Sequence, residues 1–166
     1  MQVIIITGAI DSGKTTYCRT ELAAAGLEGV RGLLLMKVME QGMTVGYDAR
    51  EIGGEGSTPF ARRLGNEPPG WREAERVGCY SVSRSGKEAA NRWIEEALAS
   101  DPEVLIIDEV GPLETAGGGL AASVRRCLAS DRPDLTIYLV VRTNWLDHVR
   151  ACFDLHGARL LSLPLT

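Results

Sequence analysis

Short apolar runs alternate along this chain with longer segments that carry one apolar residue every three or four positions. The first pattern predicts strands, and the second predicts amphipathic helices. The strand candidates are residues 3–6, 77–82, 104–107, 135–141 and 159–163. The helix candidates are residues 15–25, 85–98, 120–130 and 144–156. Strands that alternate with helices predict a three-layer α/β fold with a mainly parallel sheet.

Residues 30–48 depart from this alternation and predict an antiparallel β-hairpin. The apolar run 30–38 is followed after a short turn by a second strand candidate, 43–48. Gly42 lies in the turn, where glycine accommodates a positive φ. Antiparallel strands are common at the edge of parallel sheets. We therefore expect the hairpin to be an insertion at one side of the sheet.

Residues 53–76 are rich in glycine, proline and charge, a composition that predicts a long surface loop. Two interpretations stay open. The segment is either an ordinary solvated loop or a flap over a ligand, in which one arginine contacts phosphate groups. The candidate arginines in this part of the chain are Arg62, Arg63, Arg72 and Arg76, and Arg142 is a further candidate outside it.

Length and composition predict one globular domain over residues 1–166. The chain has 166 residues, 45% hydrophobic content and a formal net charge of −4, so nothing global favours nucleic-acid binding. The four cysteines are widely spaced and accompanied by two histidines, which favours buried thiols over a zinc site. The apolar runs are too short for an export signal or a membrane span, so we expect a cytoplasmic protein.

The segment Gly8-Ala9-Ile10-Asp11-Ser12-Gly13-Lys14-Thr15 fits the phosphate-binding pattern G-x-x-x-x-G-K-[ST], between a strand and a helix. In such loops the backbone N–H groups converge on phosphate oxygens at a helix N-terminus. Lys14 is expected to reach the β- and γ-phosphates, and the Thr15 hydroxyl to bind Mg²⁺. The predicted nucleotide contacts are Gly8, Ala9, Ile10, Asp11, Ser12, Gly13, Lys14, Thr15 and Thr16.

Asp108 and Glu109 follow the apolar run 104–107 and form a Walker B-like segment. A carboxylate at the carboxyl end of a buried strand can support Mg²⁺ opposite the phosphate loop, which is the role expected of Asp108. Glu109 is the candidate general base that orients or deprotonates the attacking water, so the predicted catalytic residues are Glu109 and Lys14. The stretch 108–111 also matches the D-x-x-G pattern of GTP switches. The chain lacks an N-K-x-D tetrapeptide, however, so guanine specificity is not supported.

These motifs together resemble the small P-loop nucleoside-triphosphatases of thermophiles, called cancer-related nucleoside-triphosphatase in vertebrates. The matching segments, in family order, are 7–16, 45–48, 67–70, 76–80 and 106–114. The resemblance implies a RecA-like sheet, Mg²⁺-dependent hydrolysis of nucleoside triphosphates to diphosphate and phosphate, and broad tolerance of the base. It also points to Glu114 as a family acid without assigning its role. Relatives often carry glycine where this loop has Asp11, whose charge is expected to weaken nucleotide binding. The chain also stops soon after Leu163, so we expect that family contacts to the base from the C-terminal segment are absent.

The leading hypothesis is therefore a nucleoside-triphosphatase, and two other classes stay open. A P-loop kinase for a nucleoside, nucleotide or other small metabolite would use the same loop with residues 53–76 as a lid. A nucleotide-gated binding module would hydrolyse rarely and signal to a protein partner.

Overall fold

The computed structural model describes residues 1–22 and 29–164. Nine strands form one sheet in the order β5-β6-β4-β3-β2-β7-β8-β1-β9. In chain order the strands are β1 (Gln2–Gly8), β2 (Val30–Glu40), β3 (Met43–Ile52), β4 (Ser57–Arg63), β5 (Glu73–Val77), β6 (Tyr80–Ser83), β7 (Val104–Ile107), β8 (Thr136–Arg142) and β9 (Arg159–Leu163).

The sheet has a parallel half and an antiparallel half. Four strand pairs, all within β2-β7-β8-β1-β9, are parallel. The four pairs that join β5, β6, β4, β3 and β2 are antiparallel. The α/β class is thus confirmed, but the sheet is mixed, and the prediction of a mainly parallel sheet holds for one half alone. The predicted pairing of 30–38 with 43–48 is present as β2 and β3, around a turn in which Gly42 has φ 79°.

The antiparallel half is larger than predicted because residues 53–76 are not one long loop. Strand β4 lies inside this range, between β3 and β6, and it buries Phe60 and Ala61. Pro59 lies next to a register shift between β4 and β3. Proline, which has no backbone N–H to donate, is tolerated at such irregular positions of a strand. The range 77–82 is likewise a hairpin, with a tight turn at Gly78 and Cys79 between β5 and β6. Residues 64–72 form the irregular connection that remains.

Four of the five described α-helices follow strands of the parallel half. The helices are α1 (Lys14–Tyr17), which continues as a π-helical turn (Cys18–Leu22), α2 (Arg84–Ala99), α3 (Pro112–Thr115), α4 (Ala121–Leu128) and α5 (Leu146–Cys152), which is preceded by a 3-10 turn (Thr143–Trp145). Helix α2 is the one that follows β6 of the antiparallel half. The predicted end of the first helix, at Ala25 and Gly26, lies outside the described residues. Within 1–22 and 29–164, no helix is long and apolar enough to cross a membrane.

Apolar side chains pack on both faces of the sheet because successive residues of a strand point to opposite sides. In β2, Leu33 and Leu35 belong to the larger core, whereas Leu34 belongs to the smaller one. The larger core also includes buried residues of α2 and α4, such as Trp93 and Val124. This packing fixes the parallel strands so that the carboxyl ends of β1, β7 and β8 lie at one edge.

Candidate nucleotide site

The loop after β1 curls because its backbone adopts conformations that few residues allow. A Cβ on Gly8 would lie 2.3 Å from Ser12 Oγ and 2.7 Å from the Leu163 carbonyl oxygen, so only glycine fits there. Gly13 has φ 84° and Asp11 has φ 63°. Aspartate tolerates this left-handed region better than most residues, so the loop keeps its curl at the position where relatives often have glycine.

Lys14, at the start of α1, is buried with its ammonium group inside the loop. Nζ donates to the carbonyl oxygens of Gly8 at 3.0 Å and Ala9 at 2.6 Å, and to Ser12 Oγ at 3.4 Å. Burial lowers the pKa of Lys14, and the negative charges of Glu109 and Asp108 oppose this change. No described carboxylate forms an ion pair with Lys14. A phosphate group in the loop would therefore supply the negative charge that this ammonium lacks.

Asp108 lies at the end of β7, directly opposite Thr15. Its Oδ2 accepts from Thr15 Oγ1 at 2.9 Å and from the Leu35 backbone N–H at 3.2 Å. The carboxyl group is fully buried, and burial, together with the charge of Glu109, raises the pKa of Asp108 to about 7. Its Oδ1 is also buried and has no hydrogen-bond partner among the described residues. A buried carboxylate oxygen without a partner beside a threonine hydroxyl is a donor set that fits Mg²⁺.

Glu109 has φ 59°, a strained conformation for this residue. Its Oε2 accepts a hydrogen bond from Arg142 Nε at 2.9 Å. Arg142 Nη2 lies 2.9 Å from the same oxygen in the ion pair and donates to the Tyr47 hydroxyl at 3.5 Å. Arg142 is the last residue of β8, so the two parallel strands β7 and β8 bring the pair to the same edge. Left-handed backbone at Glu109 turns the chain away from the strand direction, which separates its side chain from that of Asp108.

One cavity of about 280 Å³ is lined by Lys14, Thr15, Glu109 and Arg142, whereas Asp108 lies buried behind Thr15 and does not line it. The predicted contact residues from Ile10 to Thr16 all line this cavity, whereas Gly8 and Ala9 lie behind it and accept from Lys14. Of the five candidate arginines, Arg142 lines the cavity. Arg62 is instead paired with Asp48 at 2.6 Å and Arg76 with Glu73 at 2.8 Å, and Arg63 and Arg72 are exposed.

Two cations in the cavity wall, Arg19 and Lys37, were not predicted from the sequence. Lys37 belongs to β2, which pairs with β7 only over Val30–Leu33 and then continues past the end of β7 toward the phosphate loop. Its ammonium forms an ion pair with the Asp11 carboxylate, and this contact lowers the pKa of Asp11. The carboxylate that distinguishes this loop is therefore neutralised from the adjacent strand. The apolar run before Lys37, residues 33–36, is only as long as residues 104–107, so its length did not indicate that β2 extends beyond β7.

Glu114, the acid whose role the resemblance left open, holds the chain that follows Glu109. Its side chain accepts from the backbone N–H of Gly111 at 2.8 Å and of Leu120 at 3.0 Å. The carboxyl group is buried, and burial raises its pKa. Because these bonds join both ends of the segment 111–120, they fix the path of the chain immediately after Asp108 and Glu109.

Known proteins resemble this chain over nearly its whole length. The model of a family described as NTPase matches residues 3–160. The nucleoside-triphosphatase THEP1 of Archaeoglobus fulgidus is 27% identical over 92% of this chain and 87% of its own length. The protein of the same name from Ignicoccus hospitalis is 32% identical over 83% of this chain and 75% of its own length.

Two solved structures share the fold. The crystal structure of THEP1 from Aquifex aeolicus superposes with a TM-score of 0.74 at 23% identity and covers 98% of this chain and 90% of that one. The solution structure of a human cancer-related nucleoside triphosphatase gives a TM-score of 0.65 at 23% identity, over 100% of this chain and 89% of that one.

Proposed function

Because the chain belongs to the NTPase family, we propose that it is a nucleoside-triphosphatase that requires Mg²⁺ and tolerates different bases. The products are a nucleoside diphosphate and inorganic phosphate. The fold is consistent with a RecA-like arrangement, in which the order β2-β7-β8-β1-β9 is the parallel core and the antiparallel strands are an insertion.

The residues of the cavity take separate parts in this reaction. Lys14 and the loop amides bind the β- and γ-phosphates and stabilise the charge that develops on them. Thr15 and Asp108 would hold Mg²⁺, which neutralises phosphate charge when bound. Glu109 orients the attacking water and accepts its proton, and Arg142 keeps the Glu109 carboxylate in place. Lys37 and Arg142 line the cavity wall in ion pairs with Asp11 and Glu109, and Arg19 is a third cation there.

The observation that carries this proposal is the contact between Thr15 and Asp108. The two residues are far apart in sequence, yet their side chains meet at 2.9 Å and leave Asp108 Oδ1 buried without a partner among the described residues. A purely structural aspartate would be expected to have both oxygens satisfied. The arrangement instead supports a cation site next to a phosphate loop.

Phosphate release from ATP, GTP, CTP and UTP, each with Mg²⁺ and with EDTA, tests the proposal. We expect release with all four substrates in Mg²⁺ and none in EDTA. Glu109→Gln should lower the rate about 10²-fold, the order expected for a general base, while binding of Mg·ATP stays close to that of the native protein. Glu95→Gln is a matched control, because Glu95 also pairs with an arginine, Arg126, but lies outside the phosphate cavity. If the Glu109 variant released phosphate at the native rate, Glu109 would have no part in the chemistry. Negligible release by the native protein with all four substrates would instead favour a nucleotide-gated binding module.

A further inference from the structure

A second cavity lies on the antiparallel side of the site. It also measures about 280 Å³, close to the lower end of the range for small-molecule pockets. Its walls come from β3, β4, the β5–β6 hairpin and the start of α3. The lining is largely aromatic and aliphatic, and includes Tyr47, Phe60, Val77, Tyr80, Val82 and Leu113.

The two cavities share a boundary at the catalytic edge. Leu35, Glu109 and Arg142 line both of them. The hydrogen bond and the closest ion-pair contact from Arg142 both go to Glu109 Oε2, so Oε1 remains available to accept from a donor. Glu114, another carboxylate in the lining, has one bond from a backbone N–H to each of its oxygens. A ligand in the second cavity therefore meets an acceptor with remaining capacity at the end that faces the phosphates.

The lining indicates the chemical class of the ligand. The rings of Tyr47 and Tyr80 lie 5.5 Å apart in an edge-to-face contact at 64°, and Phe60 adds a third ring. Such walls favour a planar aromatic group. A charged ligand would lose its hydration without gaining a partner, because the guanidinium of Arg142 is already paired with Glu109. A hydroxyl group, by contrast, can donate directly to Glu109 Oε1.

We propose that the second cavity binds a small aromatic alcohol, whose hydroxyl accepts the γ-phosphoryl group in place of water. The inference rests on the proposed role of the phosphate loop and Glu109. The alcohol oxygen forms a bond to the γ-phosphorus, and the bond from that phosphorus to the β–γ bridging oxygen breaks. The proton of the alcohol passes to Glu109, and the bridging oxygen leaves with the bonding electrons as part of the nucleoside diphosphate. The products are a phosphate monoester and the diphosphate.

Transfer of label from [γ-³²P]ATP to benzyl alcohol, 2-phenylethanol and 2-(4-hydroxyphenyl)ethanol tests the proposal. With Mg²⁺ present, we expect a labelled monoester from at least one alcohol and ADP formation that exceeds phosphate release. Ala61 lines the second cavity but not the phosphate cavity, and it is 4% exposed. Ala61→Leu should lower ester formation about tenfold or more by filling the space for the ring, while hydrolysis in the absence of alcohol continues.

Chemical modification gives a test that does not depend on how a core variant folds. Cys79 is an exposed thiol in the cavity lining, whereas Cys18 and Cys127 are buried. Alkylation of Cys79 with N-phenylmaleimide places a ring in the cavity and should block ester formation but not hydrolysis. Cys79→Ser, treated in the same way, should keep both activities.

Two results would overturn the proposal. The first is the absence of any labelled ester from a protein that releases phosphate in Mg²⁺. The second is ester formation that neither Ala61→Leu nor alkylation of Cys79 reduces, because the alcohol would then bind elsewhere. Loss of phosphate release without alcohol would contradict the hydrolytic function instead, so the two failures are distinguishable.

Discussion

The two cavities on either side of Glu109 and Arg142 are built in opposite ways. On the parallel side, polar atoms converge from the loop after β1 and the ends of β7 and β8, and each position depends on backbone geometry. On the antiparallel side, aromatic and aliphatic side chains of β3, β4 and β6 form the wall. We call the phosphate loop with Asp108, Glu109 and Arg142 the polar edge, and the lining of the second cavity the apolar wall. The polar edge suits the reaction of a triphosphate, whereas the apolar wall suits recognition of a second molecule. Under the two proposals above, chemistry and recognition occupy different halves of one sheet, and the Glu109–Arg142 pair joins them.

The largest loss of phosphate release is expected from a substitution that disrupts the polar edge alone. Lys14→Ala removes the ammonium from the loop and leaves the Gly8 and Ala9 carbonyl groups without their partner. Loss of one preorganised group that stabilises developing charge costs about 10²–10³-fold in rate, and we expect the upper end because Lys14 also contributes to binding. Phosphate release at saturating Mg·ATP measures the effect.

Lys87→Ala is a matched control for Lys14→Ala, because Lys87 is paired with Glu75 outside the phosphate cavity. This control should release phosphate at the native rate. Phosphate release by Lys14→Ala within a few-fold of the native rate would contradict the assigned role of the loop.

The polar edge was predicted from the sequence because its signals are local. The phosphate loop and Asp108-Glu109 are short motifs, and the rule that parallel strands end at one edge was sufficient to bring them together. The family resemblance was confirmed, and the roles of the site residues stay a prediction. The apolar wall was missed because pairing of β4 with β3 and β6 is long-range, and the composition around Pro59 indicated a loop. The position of Lys37 could not be predicted for the same reason, because it depends on how far β2 extends beyond β7. Arg142 was one of five candidate arginines, and its choice among them depends on the register of β8.

The next effect concerns the residue that joins the two halves. Arg142→Ala removes the hydrogen bond and ion pair to Glu109 and the contact with Tyr47, so the proposed general base loses its orientation. We expect phosphate release to fall about 10–10²-fold, mainly through kcat, because the loop that binds the phosphates is unchanged. Measuring kcat and KM separately tests this split.

Arg62→Ala is a matched control for Arg142→Ala, since Arg62 pairs with Asp48 on the antiparallel side and does not line the phosphate cavity. It should leave kcat near the native value. Equal losses of kcat in the two variants would show that Arg142 does not orient Glu109.

A smaller effect is expected on the free energy of unfolding, and it should differ between the two halves of the sheet. Asp108 has a pKa of about 7, above its ordinary value, so its stabilising contribution is present at acidic pH and is lost as the pH rises through 7. Asp108→Asn keeps an oxygen for Thr15 and Leu35 but removes the buried charge. In EDTA we expect it to raise the free energy of unfolding by about 2 kcal/mol at pH 8 and by less at pH 5, because the contribution declines from about pH 4 to pH 7.

Val82→Ala tests the other side of the same contrast. Val82 is fully buried in the apolar wall, so its truncation should lower the free energy of unfolding by about 1–2 kcal/mol at both pH values. Urea unfolding at pH 5 and pH 8 measures both variants. Destabilisation by Asp108→Asn at pH 8 would contradict the view that the polar edge is built at a cost in stability.

The smallest effect concerns the ion pair between Asp11 and Lys37 at the mouth of the phosphate cavity. Because Lys37 neutralises Asp11, the Asp11 carboxylate should weaken nucleotide binding only slightly. Asp11→Gly should lower the Kd for Mg·ATP about two- to fivefold, because Lys37 is then free to contact the phosphates. Lys37→Ala should weaken binding by a similar factor, since it leaves an unpaired carboxylate near the anion. In the double variant both charges are absent, so its Kd should return close to the native value. Titration of the four proteins with a fluorescent ATP analogue measures the cycle. An Asp11→Gly variant that binds with unchanged affinity would mean that Lys37 does not reach the phosphates.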